Sequence, residues 1–140
     1  MTESAGRGML DTSTVILLGR IADPDSLPAD AVISAITLAE LSVGPLVADS
    51  PAERAARQGH LQQAEYDFDA IPFSPEAARA FGRVTASLRA TGRNAAARAY
   101  DVLIAAAAMA EDIPIYTCNP AEFDGIDGLV VRAVPHPDRP

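Results

Sequence analysis

Blocks of apolar residues alternate with polar segments along this chain, which predicts alternating short strands and helices. The strands are expected at residues 8–11, 31–34, 70–73, 114–117 and 129–134, and the helices at residues 14–21, 37–43, 50–66, 74–92 and 99–110. The strand segments are apolar without a clear alternation of inward and outward positions. This is typical of a parallel sheet that is covered by helices on both faces. We therefore predict an α/β fold.

Several predicted helix boundaries carry residues that favour capping. Residues 50–53 (SPAE) combine a capping-box spacing with proline at the first helical position. Thr12 and Ser13 are candidate N-caps for the first helix. Residues 44–45 (GP) predict a weak point or an end in the second helix, and Gly92 ends the fourth.

The predicted helix at residues 99–110 is apolar on nearly every face, so the interior of the domain must surround it. Its one acid, Asp101, lies in the first turn, where the helix dipole favours a carboxylate. An acid at the edge of an apolar core still needs a partner. Either Asp101 forms an ion pair with the neighbouring Arg98, or it shares a divalent cation with other acids.

Two other acids are predicted to lie at the same edge of the sheet. Asp11 ends the first strand, and Glu40 lies in the helix that follows the second strand. Ligands of open α/β sheets bind at the carboxyl ends of the strands, where the strand order reverses. Carboxylates that converge there repel each other unless a cation neutralises them. Alternatively, Asp11 caps a helix and Glu40 is a surface residue.

The segment after the fourth strand adds further polar candidates, namely Thr117, Asn119 and Glu122. Asn119 precedes a proline, where a turn residue is the usual interpretation. Glu122 could equally compensate a helix dipole. Oxygen ligands without a cluster of cysteine and histidine favour Mg²⁺ or Mn²⁺ over Zn²⁺.

Composition limits the classes of protein to which this chain can belong. The chain has 140 residues, which suits one domain. No apolar run approaches the roughly 20 residues that a membrane-spanning helix needs, and the first residues do not resemble a signal peptide. A single cysteine, Cys118, excludes an internal disulfide framework and fits the cytoplasm.

The net charge of −8 also limits the function, and every basic residue is arginine. A protein that gripped nucleic acid mainly by its backbone would be basic. The acidity is typical of solubility, and it also fits an acidic metal site or a basic protein partner. His60, His136 and Cys118 suggest no catalytic base or nucleophile, and there is no phosphate-binding loop or nucleophile elbow.

Four segments in this order and spacing resemble the PIN-domain ribonucleases of the VapC toxin type: residues 10–13 (LDTS), 33–41 (ISAITLAEL), 101–106 (DVLIAA) and 117–123 (TCNPAEF). The resemblance covers nearly everything from Met9 to Val134. It implies a three-layer α/β/α PIN-like domain with a central parallel sheet. On this basis residues 1–140 are one PIN domain, with residues 1–7 as a flexible N-terminus and residues 135–140 as a tail.

The resemblance further implies Mg²⁺-dependent endonuclease cleavage of RNA, with Mn²⁺ as an alternative ion. By motif match, Asp11, Glu40 and Asp101 are the metal-binding acids, and Asn119 and Glu122 complete the catalytic set. Many relatives carry aspartate at position 119 or 122, whereas Asn119 offers only a neutral oxygen. Removal of one acid is expected to abolish cleavage and to leave the fold intact. Asp11→Ala or Asp101→Ala is even expected to stabilise the metal-free fold by relieving repulsion.

Substrate and partners follow from the same resemblance. Candidate RNA-binding residues are Thr12, Ser13, Thr117 and the arginines Arg79, Arg83, Arg89, Arg93 and Arg98. The helices at residues 37–47 and 50–66 could form an apolar groove for the helix of a cognate antitoxin, whose basic segment would place an arginine among the acids. A homodimer without membrane attachment is expected. The alternatives are a catalytically inactive PIN module that binds RNA or protein, and a housekeeping PIN nuclease without an antitoxin.

Overall fold

Five parallel strands form the central sheet of the computed structural model, which describes residues 6–139. They are β1 (Arg7–Leu10), β2 (Asp30–Ser34), β3 (Ala70–Ile71), β4 (Ile115–Thr117) and β5 (Val131–Ala133). Their order across the sheet is β3-β2-β1-β4-β5, and each neighbouring pair is parallel. The predicted parallel sheet is therefore confirmed, with β3 and β5 shorter than expected.

Five α-helices connect the strands: α1 (Thr12–Leu17), α2 (Ala35–Leu46), α3 (Pro51–Asp67), α4 (Pro75–Ala90) and α5 (Ala99–Ala110). Short 3₁₀ turns lie at Leu18–Arg20, Pro24–Ser26, Ala96–Arg98 and Pro120–Phe123. The helix α5 has the predicted bounds, and four of its consecutive residues, 105–108, are alanines that are almost fully buried. Small side chains let this helix pack closely against its neighbours.

Two apolar clusters lie on opposite faces of the sheet. Met9 of β1 and Val32 of β2 belong to the cluster beneath α4 and α5. Their neighbours Leu10 and Ile33 belong to the cluster formed with α1, α2 and α3. Because successive side chains of a strand point to opposite faces, burial of both faces requires continuous apolar runs. The three-layer α/β/α architecture is confirmed.

The capping prediction for α1 is wrong in detail. Asp11 is the N-cap residue and accepts a hydrogen bond from the backbone N–H of Thr14 at 3.4 Å, whereas Thr12 and Ser13 lie inside the helix. The helix α2 also differs, because Ser34 caps its N-terminus and the helix passes through Pro45 to Leu46. A proline so near the C-terminal end removes only one helical hydrogen bond.

The two ends of the described chain contact the rest of the domain. Residues 1–5 and 140, which fall in the predicted N-terminal segment and tail, lie outside the described residues. Arg7, also assigned to the N-terminal segment, begins β1 and forms ion pairs with Asp30 at 3.8 Å and Glu111 at 3.7 Å. In the tail, Arg139 donates a hydrogen bond of 2.9 Å to Oδ1 of Asn119. Among the described helices, none is long and apolar enough to cross a membrane.

The strand order reverses beside β1, which lies between β2 and β4. A crevice forms at such a point outside the carboxyl ends of the strands. Asp11 follows the end of β1, and Thr117 is the last residue of β4. The topology therefore brings these two residues, which are far apart in sequence, to the same crevice.

Candidate active site

Four carboxylates line one cavity of about 470 Å³ at the reversal of strand order. Asp11 comes from the end of β1 and Glu40 from α2, whereas Asp101 lies in the first turn of α5 and Glu122 in the 3₁₀ turn after β4. The three acids predicted from widely separated segments thus share one cavity. They do not point into separate regions of solvent.

Asp11 is the most firmly fixed of these acids, and it is only 1% exposed. Its carboxylate caps α1 and also accepts a hydrogen bond from the hydroxyl of Thr14. Its other oxygen accepts from Oγ1 of Thr117 at 2.9 Å and from Oγ of Ser13 at 3.2 Å. The two interpretations of Asp11, as helix cap and as cavity residue, both apply. Thr117 is buried, and its hydrogen bond helps to position the carboxylate of Asp11.

Glu40 is half-buried and held by the first residue of α1. Thr12 Oγ1 donates a hydrogen bond of 2.6 Å to Oε1 of Glu40, and it lies 3.0 Å from Oγ1 of Thr37. Burial raises the pKa of Glu40, and the hydrogen bond from Thr12 opposes this shift. The negative charges of Asp11 and Glu122 raise the pKa further. Glu40 therefore belongs to the acidic group and is not an ordinary surface residue.

Asp101 shows the strongest electrostatic effect of the site. Burial, together with the negative charge of Glu122, raises the pKa of Asp101 from its ordinary value of 3.8 to about 6. Asp11 and Glu40 add smaller repulsive effects, which the positive charge of Arg98 opposes. A carboxyl group whose neighbours are mainly other carboxylates is a typical feature of a functional site.

The alternative ion pair between Arg98 and Asp101 is not formed. The guanidinium of Arg98 instead donates hydrogen bonds to the backbone carbonyls of Glu122 and Asp124, the latter at 3.3 Å. Arg98 does line the acidic cavity. Within residues 6–139, no arginine forms an ion pair with any of the four carboxylates.

Asn119 and Glu122 occupy different positions relative to the cavity. The amide of Asn119 donates a hydrogen bond of 3.1 Å to Oγ of Ser13, and its Oδ1 accepts from Arg139. Asn119 is not among the lining residues, whereas Glu122 is. Of the two candidates for a fourth acidic position, Glu122 is therefore the one that faces the other acids.

The four carboxylates are the candidate ligands for a metal ion at this site. Among the described residues, no three Asp, Glu, His or Cys side chains lie close enough together to ligate one ion. Hydroxyl groups bind oxygens of Asp11 and Glu40 instead. Carboxylate oxygens are nevertheless the ligands that Mg²⁺ and Mn²⁺ prefer, and a cation relieves the repulsion between them. The chemistry of the site fits a hard divalent cation, provided that the carboxylates turn towards it.

The predicted basic residues do not form one surface. Arg89 and Arg93 line a cavity next to the acidic one, whereas Arg83 lines a cavity with Arg132 that has no residue in common with either. Arg79 is exposed and forms an ion pair with Glu76. Only part of the predicted set therefore lies near the carboxylates.

Besides three alanines, one lining residue of the cavity, Tyr100, was not among the residues predicted from the sequence. Tyr100 is 54% exposed. The available signal was an aromatic residue one position before Asp101, in the first turn of an otherwise apolar helix. Part of an aromatic ring is thereby presented beside the acidic group, where an unpaired base could stack.

Comparisons with known proteins identify the family to which this chain belongs. The family model described as "PIN domain" matches residues 9–129. The chain belongs to the PIN-domain family.

Two relatives with high coverage are named as VapC ribonucleases. Ribonuclease VapC5 of Mycobacterium tuberculosis is 34% identical over 130 residues, which cover 91% of this chain and 93% of the relative. Ribonuclease VapC8 of the same species is 38% identical over 112 residues, which cover 77% of this chain and 96% of the relative.

Solved structures give the same result. The crystal structure of VapBC-5, a member of the VapBC family of toxin-antitoxin systems from M. tuberculosis, aligns with a TM-score of 0.78 and 32% identity. That alignment covers 92% of this chain and 99% of the other. VapBC2 from Rickettsia felis, bound to a DNA fragment from its promoter, aligns with a TM-score of 0.72 and 25% identity over 91% of this chain and 98% of the other.

Proposed function

We propose that this protein is a divalent-metal-dependent endoribonuclease and acts as the toxin of a toxin–antitoxin pair. The observation that carries the proposal is the convergence of four carboxylates on one cavity, without an arginine ion pair to any of them in residues 6–139. Membership of the PIN-domain family and similarity to relatives named as ribonucleases support it.

Asp11 and Asp101 would bind Mg²⁺, with Glu40 joining directly or through water and Glu122 as the fourth acidic group. Mn²⁺ would suit the same oxygen donors. A bound divalent cation would supply the positive charge that stabilises the scissile phosphate and activates water for in-line attack. The acids must be ionised to bind it, so the raised pKa of Asp101 links metal binding to pH.

Other residues of the chain orient these groups. Thr12 and Thr117 donate hydrogen bonds to Glu40 and Asp11, which fixes one oxygen of each carboxylate. Arg98 binds two carbonyls of the loop that carries Glu122. Tyr100 offers a stacking surface to an unpaired base of the RNA. Asn119 acts indirectly, through its hydrogen bond to Ser13.

We propose a cognate antitoxin as the partner, because structures that align with this chain are toxin–antitoxin complexes. An apolar helix of the antitoxin would pack against three exposed apolar residues at the C-terminal end of α2, namely Val43, Leu46 and Val47. A basic antitoxin segment suits the net charge of −8, and an arginine from it would compete with the cation for the carboxylates. The protein is proposed to be a homodimer and, because its substrate is RNA, to act in the cytoplasm.

The proposal is tested by incubating RNA with the purified protein in Mg²⁺, in Mn²⁺ and in EDTA, and by comparing wild type with Asp101→Asn. Cleavage should require the metal and be lost in the variant. Undiminished metal-dependent cleavage by Asp101→Asn would show that the site is assigned wrongly. A wild type that binds RNA without cutting it in either metal would favour the inactive PIN module. The reading frame upstream distinguishes a toxin from a housekeeping nuclease, since an antitoxin gene is expected there.

A further inference from the structure

A second cavity lies beside the acidic cavity and shares two of its lining residues, Ala96 and Ala99. Its volume is about 390 Å³, and its other walls come from α4 and from the segment between α4 and α5. We call it the α4–α5 cavity. Because the two cavities share a wall, a polymer strand that lies across the carboxylates can continue into the α4–α5 cavity.

Thr85 on α4 lines this cavity and carries an unsatisfied hydroxyl. Its Oγ1 is buried and has no hydrogen-bond partner among the described residues. Buried hydroxyls are nearly always bonded, and an unpartnered one is costly. Threonine in a helix has two accessible χ1 rotamers. Since Oγ1 has no hydrogen bond to lose, it can turn towards a polar group in the cavity at little cost.

Positive charge lines the same cavity as the unsatisfied hydroxyl of Thr85. Arg89 and Arg93 both line the cavity, and neither forms an ion pair within residues 6–139. Arg93 also passes close over Gly125, where a Cβ atom would lie 2.5 Å from Nε of Arg93. Gly125 has a φ of +83°, which also favours glycine. The loop after Glu122 therefore leaves space for this arginine beside the site.

Apart from Asn94, the remaining wall is apolar, and the half-buried Phe81 makes it partly aromatic. A ligand that matches the cavity has a flat apolar body, polar groups on its edge and an adjacent negative charge. A nucleotide has all three.

We propose that the α4–α5 cavity binds the nucleotide next to the scissile phosphate. The base lies against Phe81 and bonds to Thr85, and the adjoining phosphate is bound by Arg89 and Arg93. This inference rests on the proposed function, because it assigns a subsite of the same RNA substrate.

The test measures RNA binding separately from cleavage. Anisotropy of a fluorescein-labelled single-stranded RNA oligonucleotide is recorded in EDTA for wild type, Arg89→Ala and Arg93→Ala. The matched control is Arg54→Ala, which removes an exposed arginine from α3, on the opposite face of the sheet. Each cavity variant should raise Kd about tenfold and reduce the slope of log Kd against log salt by about 1, whereas Arg54→Ala should change Kd less than about twofold.

Thr85→Val separates a binding role from a structural one. It removes a hydroxyl without a partner, so the melting temperature should rise, whereas Kd for RNA should rise about fivefold. A series of oligonucleotides, each with an abasic site at a different position, then locates the base that is bound. At one position, loss of the base should raise Kd for wild type and leave Kd for Thr85→Val unchanged.

Three results would overturn the subsite. Arg54→Ala could weaken binding as much as Arg93→Ala, which would indicate general electrostatic attraction. Thr85→Val could stabilise the protein without changing Kd. Affinity for RNA could be equal in all variants, which would favour a protein ligand for the cavity. Failure of the proposed function is distinct, because it appears as absence of cleavage by the wild type in Mg²⁺ and Mn²⁺, whatever the binding data show.

Discussion

Thr12 Oγ1 donates a hydrogen bond of 2.6 Å to Oε1 of Glu40, which joins the first residue of α1 to an acid of α2. The bond stabilises the ionised form and so opposes the rise in the pKa of Glu40 that burial causes. Thr37 lies 3.0 Å from the same hydroxyl. Since the Thr12 proton is directed to Glu40, Thr37 is the donor in the second contact. A chain of two hydroxyls thus orients the carboxylate.

Thr12→Val should therefore raise the pKa of Glu40 further. The Mg²⁺ concentration for half-maximal RNA cleavage near neutral pH should increase about tenfold, because a hydrogen bond to a charged group is lost. Activity should recover at higher Mg²⁺ or higher pH. Thr12→Ser keeps the hydroxyl and should behave like wild type. Equal metal requirements in the valine and serine variants would show that the bond does not matter.

Asp11→Ala is now expected to destabilise the protein, contrary to the prediction from sequence. The carboxylate caps α1 and accepts hydrogen bonds from the buried hydroxyls of Thr14 and Thr117. Loss of the cap and of these bonds should lower the free energy of unfolding by about 2 kcal/mol, which exceeds the relief of repulsion. Urea unfolding of the metal-free protein measures the change. Asp101→Ala is the control, since Asp101 forms no side-chain hydrogen bond within residues 6–139.

Asp101 makes the stability of the metal-free protein depend on pH. The pKa of Asp101 is raised from 3.8 to about 6, so the folded state binds more protons than the unfolded state between these values. The contribution of this residue to stability must then fall as pH rises through that window. Asp101→Asn does not titrate. Its stability relative to wild type should increase from about pH 4 to about pH 7 in EDTA.

Urea unfolding of both proteins across this pH range tests the sign of the effect. Addition of Mg²⁺ should stabilise wild type more than Asp101→Asn, because the ion favours the ionised carboxylate. Parallel pH curves for the two proteins in EDTA would contradict the raised pKa.

The architecture was predictable because each strand must be apolar on both faces. Residues 9–10 and 32–33 read as uninterrupted apolar pairs, and the structure places the members of each pair in opposite clusters. Asp101 was predictable for the same reason, since it is the one acid in a helix that the core surrounds. In both cases the hydrophobic pattern alone determines where the residue lies.

Side-chain direction was not predictable, because it depends on contacts between distant segments. The pattern could not show that Asn119 turns towards Ser13 and Arg139 while Glu122 faces the cavity. Nor could it show that Asp11 is both a cap and a cavity residue. These outcomes depend on how the loop after β4 packs beside α1, which no local sequence rule describes.

The roles of Glu122 and Asn119 can be distinguished by the Mg²⁺ concentration that variants of each residue need for cleavage. Glu122 raises the pKa of Asp101 more than the other acids do, and it lines the cavity. Glu122→Gln should therefore increase the Mg²⁺ concentration for half-maximal cleavage about fivefold to tenfold, because one negative charge near the ion is lost. Asn119→Ala should increase this concentration much less, because Asn119 carries no charge and reaches Asp11 only through Ser13. A larger effect of Asn119→Ala than of Glu122→Gln would show that Asn119, and not Glu122, is the fourth residue at the metal site.

Tyr100 tests whether the site uses stacking to hold its substrate. Tyr100 lines the cavity and is 54% exposed, so truncation should cost little stability. Stacking of a base on an aromatic ring contributes about 1–3 kcal/mol, so Tyr100→Ala should raise KM for RNA about tenfold or more and change kcat little. Tyr100→Phe keeps the ring and should retain the wild-type KM. If the phenylalanine variant loses as much affinity as the alanine variant, the hydroxyl and not the ring contacts the RNA. If neither variant changes KM, the ring is only part of the surface beside Asp101, and affinity for RNA must come from the arginines and the bound cation.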